Sequence, residues 1–346
     1  MSSWSRRGVR AEAGRTGLFA MLFLGCASLA SLGCRGHSVT LQDDNDLFGP
    51  IGQTDRWYTH GIRLEWMLSE EDTRQAFESM LEALPLFPEI GKPAATFVAG
   101  QQMFTAENLQ TRQLVRDDRP YAGWLYGGIL FQNLTPGDPA RRDDRLDTWG
   151  LDLGIVGPSS GASRTHREAH RFLDRPRPQG WRNQLRDEPG LTLRYGRLDR
   201  LLYRSYGSLA GLELDLISDV GFSLGNIDTS GSLGGTVRLG GLQRDFTTKG
   251  VSLPLRADDA VEPAWPGYLF AGVDLRLVAR NIFLDGNTYK DSHSVDKKPY
   301  TVGFTTGIAF PSDRFTLSFA FNVRTPEFDE TSSFQRYGSI RITYRF

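Results

Sequence analysis

Tyr337-Gly338-Ser339-Ile340-Arg341-Ile342-Thr343-Tyr344-Arg345-Phe346 closes the chain. On an extended strand, Ile340, Ile342, Tyr344 and Phe346 share one face, and Ser339, Arg341, Thr343 and Arg345 share the other. A soluble sandwich would turn one face into an apolar core. Two arginines on that inner face would be buried at high cost. A barrel with an apolar outside and a wet inside removes the conflict.

Working outward, the same alternation recurs in about twelve segments, an even number as a single-chain bacterial barrel requires. They run near 38–48, 57–68, 94–105, 121–133, 144–156, 189–199, 208–222, 230–242, 266–280, 299–310, 313–324 and 334–346. Phe315, Leu317, Phe319 and Phe321 alternate with Thr316, Ser318, Ala320 and Asn322, and Pro311-Ser312 supplies a tight turn to the strand before. The fold class is an all-β transmembrane antiparallel β-barrel with short helices in its connections. An aromatic residue at the C-terminus is also similar to the assembly signal of bacterial outer-membrane barrels.

The net charge of -1 over 346 residues lacks the basic footprint of a nucleic-acid binder. Past the N-terminus no apolar run is long enough for a membrane helix. Arg6, Arg7, Arg10 and Arg15 precede an apolar or small-residue run from Gly17 to Gly33, which reads as an export signal over residues 1–36. Lipid attachment at Cys34 fits less well, since Leu32 stands where a small residue is usual. Both cysteines, Cys26 and Cys34, fall in that segment, so residues 37–346 form one thiol-free domain and a thiol nucleophile is excluded.

With both termini on the periplasmic side, odd-to-even connections face outward. These are 49–56, 106–120, 157–188, 223–229, 281–298 and 325–333. Candidate functional residues gather in or beside four of them: Asn45 and Asp46, Arg119, His170, and Asp291. One long connection, Ser69 to Pro93, falls at the other end. There Ser69 caps a helix whose first turn carries Glu70, Glu71 and Asp72. Phe77, Met80, Leu81 and Leu84 give it one apolar stripe for packing at the periplasmic rim.

Asp43-Asp44-Asn45-Asp46-Leu47-Phe48, with Thr54 to Gly61 after it, is dense in carboxylates, amides and hydroxyls. Such a stretch suits a hard cation held by oxygens, or a solvated hairpin tip. The connection 157–188 is too long for a plain loop and carries a helix through Phe172. His166 and His170 are four apart on that helix and share a face. The pair reads as two zinc ligands lacking a third, since Glu168 points elsewhere, as a general base with a neighbour, or as surface histidines. No Gly-x-Ser-x-Gly elbow is present.

Several motifs then come in order. They are Asn45-Asp46-x-Phe48, Thr54-Asp55-Arg56-x-Tyr58-Thr59-x-Gly61, Asp118-Arg119-Pro120-Tyr121-Ala122-Gly123-Trp124, the His170 helix with Gly180-Trp181-x-Asn183-Gln184, and Phe283-Leu284-Asp285-Gly286-Asn287-Thr288 with Asp291-Ser292. Together they resemble the lipid A 3'-O-deacylase (LpxR-type) outer-membrane family. The resemblance implies a twelve-stranded barrel, a monomer, that removes the 3'-linked acyloxyacyl group of lipid A in the outer leaflet with calcium, Ca2+, as cofactor. It implies that His170 activates water as base, that Asn45 and Asp46 belong to the site, that Asp46 helps hold calcium, and that Thr59 lies beside it. Arg119 is the candidate cation for the oxyanion or a glucosamine phosphate; otherwise it pairs in the lumen with Asp117 or Asp118.

This chain departs from the pattern at His60, where Asn is expected, and at His166, where Gln is expected as a substrate-binding or water-orienting group. Asp118 stands where some relatives carry a second cation. A phospholipase or other lipid esterase using the same residues, and a non-enzymatic porin, are the competing functions.

Overall fold

Twelve antiparallel strands close on themselves in the computed structural model, each hydrogen-bonded to its sequence neighbours and the first to the last. The structure describes residues 36–48, 56–87, 90–138, 140–242, 246 and 265–346. The strands are β1 Ser38–Asn45, β2 Trp57–Met67, β3 Lys92–Thr105, β4 Ala122–Thr135, β5 Arg145–Val156 and β6 Glu188–Tyr206. They continue with β7 Leu212–Gly225, β8 Asp228–Gly240, β9 Tyr268–Asn281, β10 Tyr300–Pro311, β11 Phe315–Arg324 and β12 Gln335–Arg345. The expected export signal over residues 1–36, apart from Gly36, and Thr54 and Asp55 lie outside the described residues.

The last strand faces as its alternation requires. It closes on β1 from Ser38↔Arg345 to Asn45↔Gly338. Arg341 turns into the lumen and donates to the Glu65 carboxylate at 2.6 Å, and Thr343 shares a hydroxyl bond of 2.9 Å with Thr40. The outward face carries Ile62, Leu64, Trp66, Leu269, Val273, Leu275 and Leu277, all exposed. Such a face is stable against hydrocarbon, where closure leaves no strand edge unpaired.

At the end bearing the termini, the lumen is filled. Met67, Ala94, Leu134, Leu146, Leu198 and Ile217 pack around Phe246, which is fully buried. Beside them Asp215 accepts from Arg238 at 2.6 and 3.0 Å and from Arg200 at 3.1 Å, and Arg200 also pairs with Asp144. Phe246 belongs to the β8–β9 connection. That connection, 241–267, is a second long one at this end, where Ser69 to Pro93 alone was expected. β6 and β7 also run farther than expected, to Tyr206 and to Gly225, while β7 starts later, at Leu212. Between β7 and β8 a two-residue turn, 226–227, replaces the expected loop, because outward alternation continues through exposed Leu224.

Helix α1, Glu70–Ala83, forms where its capping residues put it: the Ser69 hydroxyl accepts from the Asp72 N–H at 3.1 Å. It packs on the outside of the wall. Leu81 is buried against the outward row Ala95, Phe131, Trp149 and Tyr195, and Phe77 meets the Phe131 ring at 5.3 Å. The Trp149 indole donates to the Pro85 carbonyl at 2.7 Å. Met80 is 50% exposed, so the buried stripe is Phe77, Leu81 and Leu84 without it.

Asp215 is the shared counter-ion of two fully buried arginines. Asp215→Asn is expected to destabilise the barrel by about 3–5 kcal/mol, because both cations stay desolvated. Urea unfolding in detergent micelles measures this, and an unchanged midpoint would contradict the network's role.

Candidate functional site on the outward wall

At the end opposite the termini, polar residues interrupt the apolar outer face. His60 lies two residues before outward Ile62 on β2, so the two share a face. Asn45 pairs opposite His60, and Asp43 opposite Ile62. The Asp43 carboxylate meets His60 Nε2 at 3.1 Å. Between Tyr58 and His60 the β2–β3 register shifts, leaving Thr59 as the extra residue of a bulge. Bulges re-aim side chains near functional sites. Here Tyr58 reaches the lumen and bonds Asp44 at 2.8 Å, while Thr59 is buried with its hydroxyl 2.8 Å from that of Thr105.

Asp46 follows β1 and opens a short 3-10 turn. It is buried, and its Oδ2 accepts from the Arg56 N–H at 2.7 Å. The next residue, Trp57, has φ +64° and is held there by burial against Leu284, Val295 and Phe328. A bulky residue in this region is strained, and such strain gathers at functional sites. Its indole N–H donates to Asp118 at 3.0 Å. Asp118 also accepts from the backbone N–H of Glu107 at 2.6 Å and of Arg119 at 2.7 Å. Three donors converge on Asp118, so an acidic residue suits this place and a cation does not.

Helix α2, Ala162–Phe172, lies over the outward face of β3 and β4. Gly157 at φ +104° and Gly161 at φ +73° turn the chain into it. Gln101 donates to the Ser160 carbonyl at 2.7 Å. A side chain at Gly123 would come within 2.3 Å of Ala162 Cβ, so only glycine lets the helix seat there. Met103, Ala106, Leu109, Tyr121, Ala162 and Trp181 form the apolar bed beneath. Connections 106–121 and 157–187 are stitched together by Gln179 N–H to Leu109 carbonyl and Leu185 N–H to Tyr121 carbonyl, both 2.8 Å.

His166 and His170 are buried, at 3% and 5% exposure, with ring centroids 4.4 Å apart and nearly perpendicular. They are not surface histidines. Glu168 pairs with Arg171 instead of joining them. His170 Nδ1 lies 2.7 Å from the Pro176 carbonyl. A carbonyl only accepts, so Nδ1 carries the proton and Nε2 holds the lone pair. The Trp181 indole donates to His166 Nδ1 at 3.0 Å.

Arg119 sits apart from the histidines. Its guanidinium is 1% exposed, lies over the Phe104 ring at 5.1 Å, and pairs with Glu327 at 3.0 Å, not with Asp117 or Asp118 as expected. It lines a lumen cavity of about 300 Å³ with Asp44, Tyr58, Arg63 and Asp152. Burial would push the Glu327 carboxyl up, but Arg119, Arg324 and Arg276 more than offset this and hold it below the usual carboxylate range. Burial lowers the Arg119 guanidinium, opposed by Glu327. In the fifth connection the expected motif forms a clasp: Glu188 accepts from Thr288 N–H at 2.9 Å and Asn287 Nδ2 at 3.1 Å. Sequence reading missed Glu188 and Glu327 because neither sits in a recognisable motif.

Asp46 is joined to the second connection through the Arg56 N–H and the Trp57 indole on Asp118, and Tyr121 and Trp181 join that connection to α2. The oxygens of Asn45, Asp46 and Thr59 are the hard donors calcium takes. Among the described residues no three His, Cys, Asp or Glu side chains converge, so an ion at Asp46 would draw on neutral oxygens as well.

A closed twelve-stranded antiparallel barrel with an apolar outer face defines the class of integral outer-membrane proteins. The family model "Outer membrane protein LpxR" matches residues 18–346. The chain belongs to this family, and its location is the bacterial outer membrane. No curated protein matches it. The solved structure of LpxR from Salmonella typhimurium is 20% identical with TM-score 0.68, covering 89% of this chain and all of that one. At that identity the likeness is one of fold. The translocator domain of autotransporter NalP from Neisseria meningitidis, 12% identical over 96% of this chain and 98% of its own, has TM-score 0.38 and carries no argument.

Glu327→Gln strips the buried Arg119 of its counter-ion and is expected to destabilise by about 3–5 kcal/mol. Exposed Glu330→Gln should stay within about 0.5 kcal/mol of the parent. Because the Glu327 carboxyl is held low when folded, its contribution is present above the unfolded carboxylate range and fades as pH falls through the folded value. Unfolding midpoints of parent and variants against pH measure both effects.

Proposed function

We propose that this protein hydrolyses the 3'-linked acyloxyacyl ester of lipid A in the outer leaflet. One observation carries the reading: the buried base lies on the outward, membrane side of the wall, not in the lumen. An acyl chain can lie along exposed Ile62, Leu64 and Trp66, which continue from the polar patch down the same face.

His170 is the general base. The Pro176 carbonyl fixes its tautomer and leaves Nε2 free of the proton. Nε2 takes a proton from water as the water oxygen bonds the ester carbonyl carbon. The imidazolium then returns that proton to the departing sugar 3'-oxygen as the acyl C–O bond breaks. The Pro176 and Pro178 backbone keeps the carbonyl in place through both steps. Asp46, with the Asn45 amide oxygen beside it, would hold calcium. When bound, such an ion polarises the ester carbonyl and steadies the charge developing on its oxygen. Arg119 takes no part in substrate contact in this reading. Paired to Glu327, it anchors the connection that carries Asp118 and Tyr121. The apolar and ionic filling around Phe246 speaks against a conducting pore.

Positioned proton transfer is typically worth about 10²–10⁴ in rate. His170→Ala should therefore lower lipid A deacylation at least about a hundredfold while the folded barrel persists. Mass spectrometry of lipid A, in cells and with purified protein, reads the released acyloxyacyl chain. Fatty acid from phospholipid with lipid A intact would instead assign a phospholipase.

EGTA should abolish the activity, and calcium but not zinc should restore it. Full activity in EGTA would remove calcium from the reading.

A further inference from the structure

Two histidines one turn apart read as like groups, yet their hydrogen bonds set them in opposite states. Indole N–H is a donor only, so the His166 Nδ1 that receives it at 3.0 Å must present its lone pair. In the neutral ring the proton then sits on Nε2. His170 is the reverse, with its proton on Nδ1 and its lone pair on Nε2. We infer that Trp181 is a positioning residue: its indole holds His166 in the Nε2–H tautomer, so His166 serves as a hydrogen-bond donor beside the base.

Trp181 is itself held for this task. It is 2% exposed, and its ring meets Tyr121 edge-on at 5.3 Å and His166 at 5.8 Å. Gly180 makes the approach possible: a Cβ there would sit 2.3 Å from the Tyr121 ring. Asn183 ties the same turn to the Arg112 carbonyl at 3.0 Å. Each named residue of the Gly180-Trp181-x-Asn183 run thus helps aim one indole N–H. The tautomer also accounts for His166 standing where Gln is expected. A glutamine amide offers one acceptor and one donor end; His166 offers an acceptor to Trp181 and a donor at Nε2. In this state Nε2 has no lone pair for a metal.

The assignment of the tautomer rests on the structure alone; the donor role rests on the deacylase reading. NMR of the full-length protein, labelled with ¹⁵N-histidine and held in detergent micelles, tests the first. His166 signals are identified by their loss in His166→Gln. Nδ1 should appear unprotonated and Nε2 protonated, and Trp181→Phe should give averaged tautomers at His166 with His170 unchanged. A proton on Nδ1 in the parent, or the parent pattern surviving in Trp181→Phe, would overturn the inference. Deacylation kinetics test the second. His166→Gln should keep most of kcat, while His166→Phe, which keeps a ring and lacks the donor, should lose about fivefold to tenfold. Equal kcat for His166→Phe and the parent would overturn the donor role. An inactive parent would count against the deacylase reading and leave the tautomer result standing.

Discussion

In hydrocarbon a backbone amide has no water to turn to, and the closed hydrogen-bonded ring is what makes this chain possible there. Closure depends on β1 meeting β12 in one register. A slip by one residue would carry Arg341 and Arg345 to the lipid and Ile340 and Ile342 to the lumen. Arg341 on Glu65 and Thr343 on Thr40 mark the correct setting. The lumen charges thus help choose the register, and the register fixes where everything on the rim stands.

The rim site uses the wall as a back plate. A bulge at Thr59, glycines at 123 and 180, and a tryptophan at φ +64° let the second and third connections fold down over β3 and β4. Two cavities of about 270 and 300 Å³ lie in the lumen, and neither is lined by His166, His170 or Asp46. Size is a poor guide here because an arginine-lined lumen is a consequence of closure. The histidines stand out by burial and by the partner at each Nδ1.

Much of the barrel was legible because a period of two runs through most of the strand residues, and Arg341 and Arg345 reject any other setting of the last strand. Strand limits were less so: β6 runs on to Tyr206 past a bulge between Arg200 and Leu202, which shifts the alternation by one residue. Phe246 was missed as a filler of the lumen since a single phenylalanine carries no periodicity. Asn45, Asp46, Thr59, His166 and His170 were legible as members of ordered motifs; the structure puts the first three where β1 ends and β2 begins and the histidines on α2, and buries Asp46, Thr59, His166 and His170. Their partners were not, because Glu327 reaches Arg119 and Trp181 reaches His166 across distances that no local spacing encodes.

The seat of α2 on the outer wall has a kinetic meaning. In the proposed reaction a lipid reactant reaches His170 sideways, travelling in the plane of the leaflet and not through bulk water. Encounter frequency then scales with the mole fraction of that lipid among its neighbours. Diluting the membrane with inert lipid would slow the reaction, whereas diluting the whole suspension would not.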